Sequence, residues 1–216
     1  MKKNLYSLIL SEDVVRAVDT LAYREGSNRS ALINRILAEY VSYTTPEMRV
    51  KEVFSELGAL LSATSLLIGE PSQTMLPMRS SLAYKYNPSV RYSVELYRDG
   101  DALGALRVSL RTQNAALLSV IRAFYTAFTA VEEELIGEPQ VYIEDDKYMR
   151  VLRLRKNGAQ LEGMQSARDT ASIISKYVRT FDSALKTYFA LESEEEARAA
   201  IRRIYRSYLR DSKEII

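Results

Sequence analysis

The chain contains no cysteine and no histidine over its 216 residues. The lack of cysteine excludes disulfides, thiolate metal sites and a cysteine nucleophile. The lack of histidine removes the commonest general base and the commonest metal ligand. Only eight glycines and five prolines are present, and we find no glycine-rich phosphate loop, dinucleotide fingerprint or nucleophile motif. We therefore expect a protein that is not an enzyme and that holds no cofactor and no metal.

Long hydrophobic runs and a strong charge of one sign are also missing. No segment has the roughly 18 uninterrupted apolar residues of a membrane span, and the short apolar run near the N-terminus lacks a signal-peptide cleavage site. We expect a cytoplasmic protein without membrane contact. Lys and Arg number 30 against 28 Asp and Glu, a net charge of +2, so any contact with nucleic acid must use a local basic patch.

The first 45 residues have the pattern of one strand and two helices. Residues 4–10 form an apolar run whose length predicts a β-strand. Ser11 is a good N-cap, and apolar residues then recur at helical spacing until Gly26 ends the first helix. Ser30 is predicted to cap a second helix. The apolar face of that second helix consists of Ile33, Ile36, Leu37, Tyr40 and Val41.

This segment, which we take as a domain covering residues 1–45, is too small to bury its own apolar surface. One strand and two short helices cannot form a sizeable core, and an isolated strand leaves its backbone N–H and C=O groups unpaired. Both problems disappear when two chains pair their strands as an antiparallel ribbon and interlock their helices. A homodimer or a higher homo-oligomer is therefore expected.

The order of motifs in residues 3–42 resembles the ribbon-helix-helix family, to which the CopG, Arc and MetJ repressors belong. The matching features are the strand and Ser11, followed in order by Asp19-Thr20-Leu21-Ala22, Glu25-Gly26 and Asn28-Arg29-Ser30. The resemblance covers about a fifth of the chain. It implies that the paired strands of a dimer enter the major groove of double-stranded DNA.

The resemblance also assigns residues to this interface. Strand side chains alternate, so one set faces the core and the other faces the groove. The core set is Tyr6, Leu8 and Leu10. The N-terminus of the second helix is expected to hold a phosphate through free backbone N–H groups. The candidate DNA-binding residues are Lys3, Leu5, Ser7, Ile9, Asn28, Arg29 and Ser30.

The groove-facing side chains depart from those of the family, which are usually polar or basic because base edges are read by hydrogen bonds. Only Ser7 can make such a bond, whereas Leu5 and Ile9 are restricted to thymine methyl groups. Residues 1–50 carry seven basic and six acidic side chains, a small electrostatic footprint for DNA. The alternative that the ribbon only dimerises, with its outer face covered by protein, stays open.

Residues 46–216 are predicted to form a second domain. The fold class that we expect is α+β, mostly helical, with a small antiparallel β-meander. A helix is predicted from Pro46 to about Ile68, a loop over 70–80 and a possible strand over 81–86. Period-two alternation then predicts two strands joined by a two-residue hairpin turn at Asp99-Gly100. Arg91, Arg107, Arg111 and Tyr97 form either a basic, aromatic surface or an ordinary solvated face of that sheet.

The next segments predict a buried helix and a basic cluster. Asn114–Ile136 is apolar on almost all sides, the pattern of a central helix. The glutamates at 132–134 point in three directions, so we interpret them as a polar helix end. Residues 140–156 are ambiguous between strand and turn. They end in a basic cluster that contacts phosphate or pairs with neighbouring acids, formed by Lys147, Arg150, Arg153, Arg155 and Lys156.

The last stretch predicts two helices. A heptad stripe from Met164 to Tyr188 indicates either helix-on-helix packing within one chain or a two-chain coiled coil. Ser193 with Glu196 makes a capping box that starts the final helix. Arginines recur along that helix at intervals of four, at Arg198, Arg202, Arg206 and Arg210. This row is a candidate surface for DNA or an acidic partner, or it is an exposed charged face without a partner.

These features predict a sequence-specific DNA-binding protein, a bacterial or mobile-element transcriptional regulator such as a repressor, acting as a dimer. The C-terminal domain is expected to add oligomerisation, ligand sensing or a protein partner. One alternative is a plasmid partition or conjugation accessory factor, which sequence does not separate from a regulator. An alternative of another class is a structural or interaction protein that uses the ribbon-helix-helix only to dimerise.

Overall fold

The structure is a computed structural model of one chain. It describes residues 7–41, 43–98, 100–156 and 166–216. The chain divides into two compact units, Met1–Arg49 and Val50–Ile216, which we call the N-terminal and C-terminal units. The fold is α+β, as predicted, with six helices and a six-stranded antiparallel sheet in the described ranges.

The first helix, α1 (Glu12–Arg24), begins and ends where the pattern predicts. Ser11 occupies the N-cap position with extended backbone, although its side chain makes no capping hydrogen bond. At the other end Gly26 has a φ of 61°, and the N–H groups of Gly26 and Ser27 donate to the carbonyls of Tyr23 and Ala22. This pair of bonds is a Schellman motif, whose left-handed position favours glycine.

The second helix, α2 (Arg29–Tyr40), corrects the predicted cap. The side chain of Asn28 accepts a hydrogen bond of 3.0 Å from the N–H of Ala31, so Asn28 and not Ser30 is the N-cap. Asn28 has extended backbone while Ser30 is already helical, and asparagine caps at least as well as serine. Ser30 therefore lies inside the first turn of α2.

The predicted strand over 4–10 is described only in its last four residues, Ser7–Leu10, because residues 4–6 lie outside the described ranges. Ser7–Leu10 belong to no helix or strand in the described part of the chain. A β-ladder needs a second strand as hydrogen-bond partner. The single chain thus shows the two helices of the predicted module but not its ribbon.

The region after Pro46 corrects three predictions. Helix α3 (Pro46–Leu61) is shorter than expected, since the backbone turns at Thr64 and forms a short strand, β1 (Leu67–Ile68). The predicted loop at 70–80 contains strand β2 (Met75–Ser81), in which buried and exposed side chains alternate. The possible strand at 81–86 is wrong, because Tyr86 and Asn87 take positive φ in a turn.

The sheet also contains β3 (Ser89–Leu96), β4 (Gly104–Leu110), β5 (Val141–Glu144) and β6 (Lys147–Leu152), and its strand order is β1-β2-β3-β4-β6-β5. The predicted antiparallel pair β3–β4 is confirmed. Its connection is longer than two residues, since Leu96 pairs with Gly104. Gly104 permits this pairing, because a Cβ there would lie 1.8 Å from the carbonyl oxygen of Glu95.

Three long helices build the core of the C-terminal unit with the sheet, α4 (Ala115–Ile136), α5 (Ala167–Ala190) and α6 (Glu194–Arg210). Phe181 of α5 lies at the centre, and the nearest ring is that of Phe128, 4.7 Å away between centroids. Tyr92 and Tyr148 bring the buried face of the sheet against the same ring. The helix-on-helix packing predicted for the last stretch is confirmed for α5 and α6.

Helix α4 is central, as predicted, but it is not buried on all sides. Its buried residues form one stripe of Leu117, Ile121, Phe124, Tyr125, Phe128, Val131 and Glu132. Within the described ranges α4 is the one helix long and apolar enough to cross a membrane, and 39% of its most apolar stretch is buried. The central helix of a protein core can be equally long and apolar, so these two properties do not distinguish a membrane span from a core helix.

The last strands form a second, small sheet in the C-terminal unit. Strand β7 (Arg155–Lys156) pairs antiparallel with β8 (Glu214–Ile215). Helix α6 starts at the predicted cap, where the Ser193 side chain accepts the N–H of Glu196. Met164, at which the predicted heptad stripe begins, lies outside the described residues.

Candidate nucleic-acid interface

Two ion pairs join α1 to α2. The Arg29 guanidinium donates two hydrogen bonds to the Asp19 carboxylate, at 2.7 and 2.5 Å. Arg35 of α2 similarly donates to Glu25, at 2.5 Å. The hydrogen bond from Arg29 lowers the pKa of Asp19 below its usual value. The Arg29 side chain is therefore engaged in holding α2 to α1, whereas the phosphate contact predicted for residues 28–30 uses backbone N–H groups.

The N-terminus of α2 presents backbone donors. The N–H groups of Arg29 and Ser30 are the first two of the helix, and such groups have no acceptor within their own helix. The third N–H, that of Ala31, is already taken by the Asn28 side chain. Both Asn28 and Ser30 are exposed. The geometry suits an anion at this helix end, held by backbone groups and the helix dipole rather than by a side-chain charge.

The candidate residues of the ribbon are only partly within the described chain. Lys3 and Leu5 lie outside it, whereas Ser7 and Ile9 are exposed and Ile9 is fully so. The predicted core-facing residues Leu8 and Leu10 are exposed as well, at 60% and 42%. Within one chain, therefore, the side chains of Ser7–Leu10 are exposed on both faces.

The N-terminal unit has a large exposed apolar surface for its size. In α1 and α2 the buried residues are three, Ala22, Leu32 and Ala38. The large apolar side chains that stay exposed on these helices and the preceding segment are Leu8, Ile9, Leu10, Val14, Leu21, Tyr23, Ile36, Leu37, Tyr40 and Val41. Most of them belong to the apolar faces that the sequence predicts to pack, so the packing they are suited to is absent within a single copy.

A buried polar cluster in the C-terminal unit corrects the interpretation of residues 132–134. Glu132 is fully buried, and its carboxylate accepts hydrogen bonds from the hydroxyls of Tyr177 and Tyr205, at 2.9 and 3.0 Å. Arg150, which is 2% exposed, lies 3.4 Å away through Nε. Burial raises the pKa of Glu132, while the charge of Arg150 and the tyrosine hydroxyls oppose that rise. Glu132 thus belongs to the core, whereas its neighbours at 133 and 134 are exposed as predicted.

The basic cluster predicted over 147–156 does not form one surface. Arg150 is buried beside Glu132 and also donates to the backbone carbonyls of Val151 and Ile216. Arg155 donates to the carbonyls of Ile136 and Glu138. These two arginines stabilise the fold through backbone oxygens. Neither the predicted phosphate contact nor the predicted pairing with neighbouring acids included such bonds.

The buried carboxylate of the C-terminal unit, that of Glu132, is enclosed by Arg150 and by three tyrosines, Tyr148, Tyr177 and Tyr205. Among the described residues, no group of three or more acidic side chains is placed to hold a metal ion. Comparisons with protein-family models, curated proteins and solved structures find no match to this chain.

Proposed function

We propose that the protein is a sequence-specific DNA-binding homodimer, and that it acts as a bacterial or mobile-element transcriptional regulator through a β-ribbon in the major groove. The observation that carries this proposal is the N-terminal unit, with two ion-paired helices and an extended segment whose apolar side chains are exposed in one chain. The ordered motifs of residues 3–42, which resemble the ribbon-helix-helix family, are the second support for the proposal.

A second copy accounts for the exposed surface. Apolar surface removed from water contributes about 25 cal/mol per Å², and the α2 side chains Ile36, Leu37 and Val41 are 42%, 51% and 66% exposed. Pairing two copies of residues 4–10 also supplies the backbone hydrogen bonds that a lone strand lacks. In this dimer Leu8 and Leu10 turn inward.

The same pairing presents the other face of the ribbon to DNA. Ser7 and Ile9 alternate with the inward side chains, so two copies of each point toward the groove. The two α2 N-termini, one from each copy, are then available for phosphates on either side of the ribbon. In this account Arg29 positions α2 through Asp19, and the backbone N–H groups of residues 29 and 30 bind the phosphate.

The test is a titration of the full chain with the DNA upstream of its own gene and with a scrambled duplex of equal length, at several salt concentrations. Specific binding is expected to exceed nonspecific binding at least about 1,000-fold. Ser7→Ala should narrow that ratio by removing a polar contact of roughly 1 kcal/mol. Lys3→Ala should weaken both duplexes alike and flatten the salt slope by about one unit. Equal affinity of the parent for both duplexes would refute the proposal.

A second candidate is a protein that uses the N-terminal unit only to dimerise. The observation in its favour is Ile9, an apolar side chain that is fully exposed where the family usually has a polar one. In this case a protein segment covers Ile9 in the dimer. Ile9→Arg separates the two, because a charge buried without a partner destabilises the fold by several kcal/mol, whereas a groove-facing arginine leaves stability unchanged. The position of the operator, at a promoter or at a transfer origin, separates a regulator from a partition or conjugation factor.

A further inference from the structure

Helix α6 of the C-terminal unit carries a basic surface. From residue 198 to 210 the helix has five arginines and no lysine, aspartate or glutamate. We call this set the arginine face, and it consists of Arg198, Arg202, Arg203, Arg206 and Arg210. The opposite side of the helix packs into the core through Ala197, Ala200, Ile201, Tyr205 and Tyr208.

Most of the arginine face is unpaired. Arg198, Arg203 and Arg206 are exposed, and within the described ranges their side chains have no ion pair or hydrogen bond. Arg210 is 78% exposed, and its nearest carboxylate oxygen, on Asp211, is 4.0 Å away. Arg202 alone donates to a carboxylate across the helix interface, that of Glu134. The face is therefore a surface of positive charge rather than a network of ion pairs.

The arginines of the row repel one another along the helix. Arg198, Arg202, Arg206 and Arg210 follow one another at intervals of four, so each lies beside the next on the helix surface. Like charges at this spacing destabilise a helix, and none of the four is needed to fill the core. A negatively charged partner relieves this repulsion along the whole row at once.

The spacing and chemistry of the row fit a phosphate backbone. Four residues of helix advance about 6 Å, and the row from first to last arginine spans about 18 Å. Phosphates along one strand of DNA advance 3.4 Å per base pair along the axis, so the row extends over about five of them. The planar guanidinium fork also matches two phosphate oxygens better than a lysine ammonium does.

An acidic protein surface is the less suitable partner. Protein interfaces combine arginine with buried aromatic and large apolar anchors at their centre. The exposed large apolar side chains of the described chain include no residue between 198 and 210. A face that offers guanidinium groups without apolar anchors is suited to a partner bound by charge.

We propose that the arginine face binds the phosphate backbone of the DNA that the N-terminal unit reads. This inference rests on the proposed function. The face adds affinity for every sequence alike, because phosphate contacts carry no direct base information.

The test uses the full chain with Arg198→Gln and Arg206→Gln together, which removes two exposed, unpaired charges. The control is Arg168→Gln with Arg179→Gln. These two arginines are also exposed, and both lie on α5. Dissociation constants for the upstream and scrambled duplexes are measured from 50 to 200 mM salt. The expected result is a salt slope that falls by about 1.8 units per protomer in the α6 variant, about 3.6 for a dimer whose two copies contact the DNA, at about 0.9 per phosphate contact. The ratio between the two duplexes should be unchanged, and the control should equal the parent.

Three results would overturn the inference. The α6 variant could keep the slope and affinity of the parent, which leaves the proposed function intact. The salt slope of the control variant could fall as much as that of the α6 variant, which would mean that the slope depends on the total charge of the protein and not on the arginine face. The parent could bind neither duplex, which removes the proposed function as well. Circular dichroism melting checks that each variant is folded. If the melting temperature of the double variant falls, Arg206→Gln alone replaces it, with an expected loss of about 0.9 units per protomer.

Discussion

Leu37 provides a quantitative test of the dimer, because it is 51% exposed on the apolar face of α2. Burying a leucine side chain completely contributes roughly 1.5–3 kcal/mol, so covering the exposed half contributes roughly 0.8–1.5 kcal/mol. A symmetric dimer contains the contact twice, which gives roughly 1.5–3 kcal/mol in total. Since about 1.4 kcal/mol is a factor of ten, Leu37→Ala should raise the dissociation constant of the dimer roughly 10- to 150-fold.

The assay is sedimentation equilibrium over a range of protein concentrations. The matched control is Leu67→Ala, since Leu67 lies on the edge strand β1 and is 72% exposed. Truncating Leu67 should leave self-association as in the parent. The reasoning is refuted if Leu37→Ala dimerises like the parent, if the two leucine variants weaken the dimer equally, or if the parent is a folded monomer at micromolar concentration.

Three further predictions follow. Asn28→Ala removes the cap of α2 and should lower the free energy of unfolding by about 1 kcal/mol, whereas Asn28→Ser should restore most of it in urea titrations; equal stability of all three proteins contradicts the cap. Arg150→Met leaves the buried carboxylate of Glu132 without its cation and should cost roughly 3–5 kcal/mol, about 10 °C or more in melting temperature. A carboxyl whose pKa in the folded protein lies above its usual value of 4.5 makes the fold less stable as the pH rises through that folded pKa,. The penalty of Arg150→Met should therefore be larger at pH 8 than at pH 5, and a penalty independent of pH contradicts the explanation. Ile9→Arg should leave the free energy of unfolding within about 0.5 kcal/mol of the parent and change DNA binding; a large loss of stability instead supports the dimerisation-only candidate.

Local patterns predicted the elements that depend on nearby residues. The apolar spacing of α1, the turn at Gly26 and the alternation of β3 and β4 each follow from a few neighbouring side chains. Strand β2 was not predicted because it contains Pro77, and proline usually excludes a central strand. Its pairing with β3 on one side and the short β1 on the other is a tertiary property.

The site residues illustrate the same limit. Glu132 was interpreted as part of a polar helix end, although it follows Phe128 by four positions and shares the helical phase of the buried stripe. Its partners Arg150, Tyr177 and Tyr205 come from distant segments, which no local pattern identifies. The ion pair between Asp19 and Arg29 joins residues ten positions apart on two helices. Sequence patterns identify such side chains as charged, and the fold decides which partner they meet.

Uracil substitution in the operator tests most directly whether the ribbon reads the major groove. Replacing one thymine at a time by deoxyuridine removes a single methyl group, and a buried CH₂ or CH₃ is worth about 0.8 kcal/mol. Our account predicts that at least one such position weakens binding of the parent about fourfold, and that Ile9→Ala is insensitive to the same replacement. If no thymine methyl matters to the parent, or if Ile9→Ala loses the same affinity as the parent at every position, Ile9 does not face the groove and the central claim is wrong.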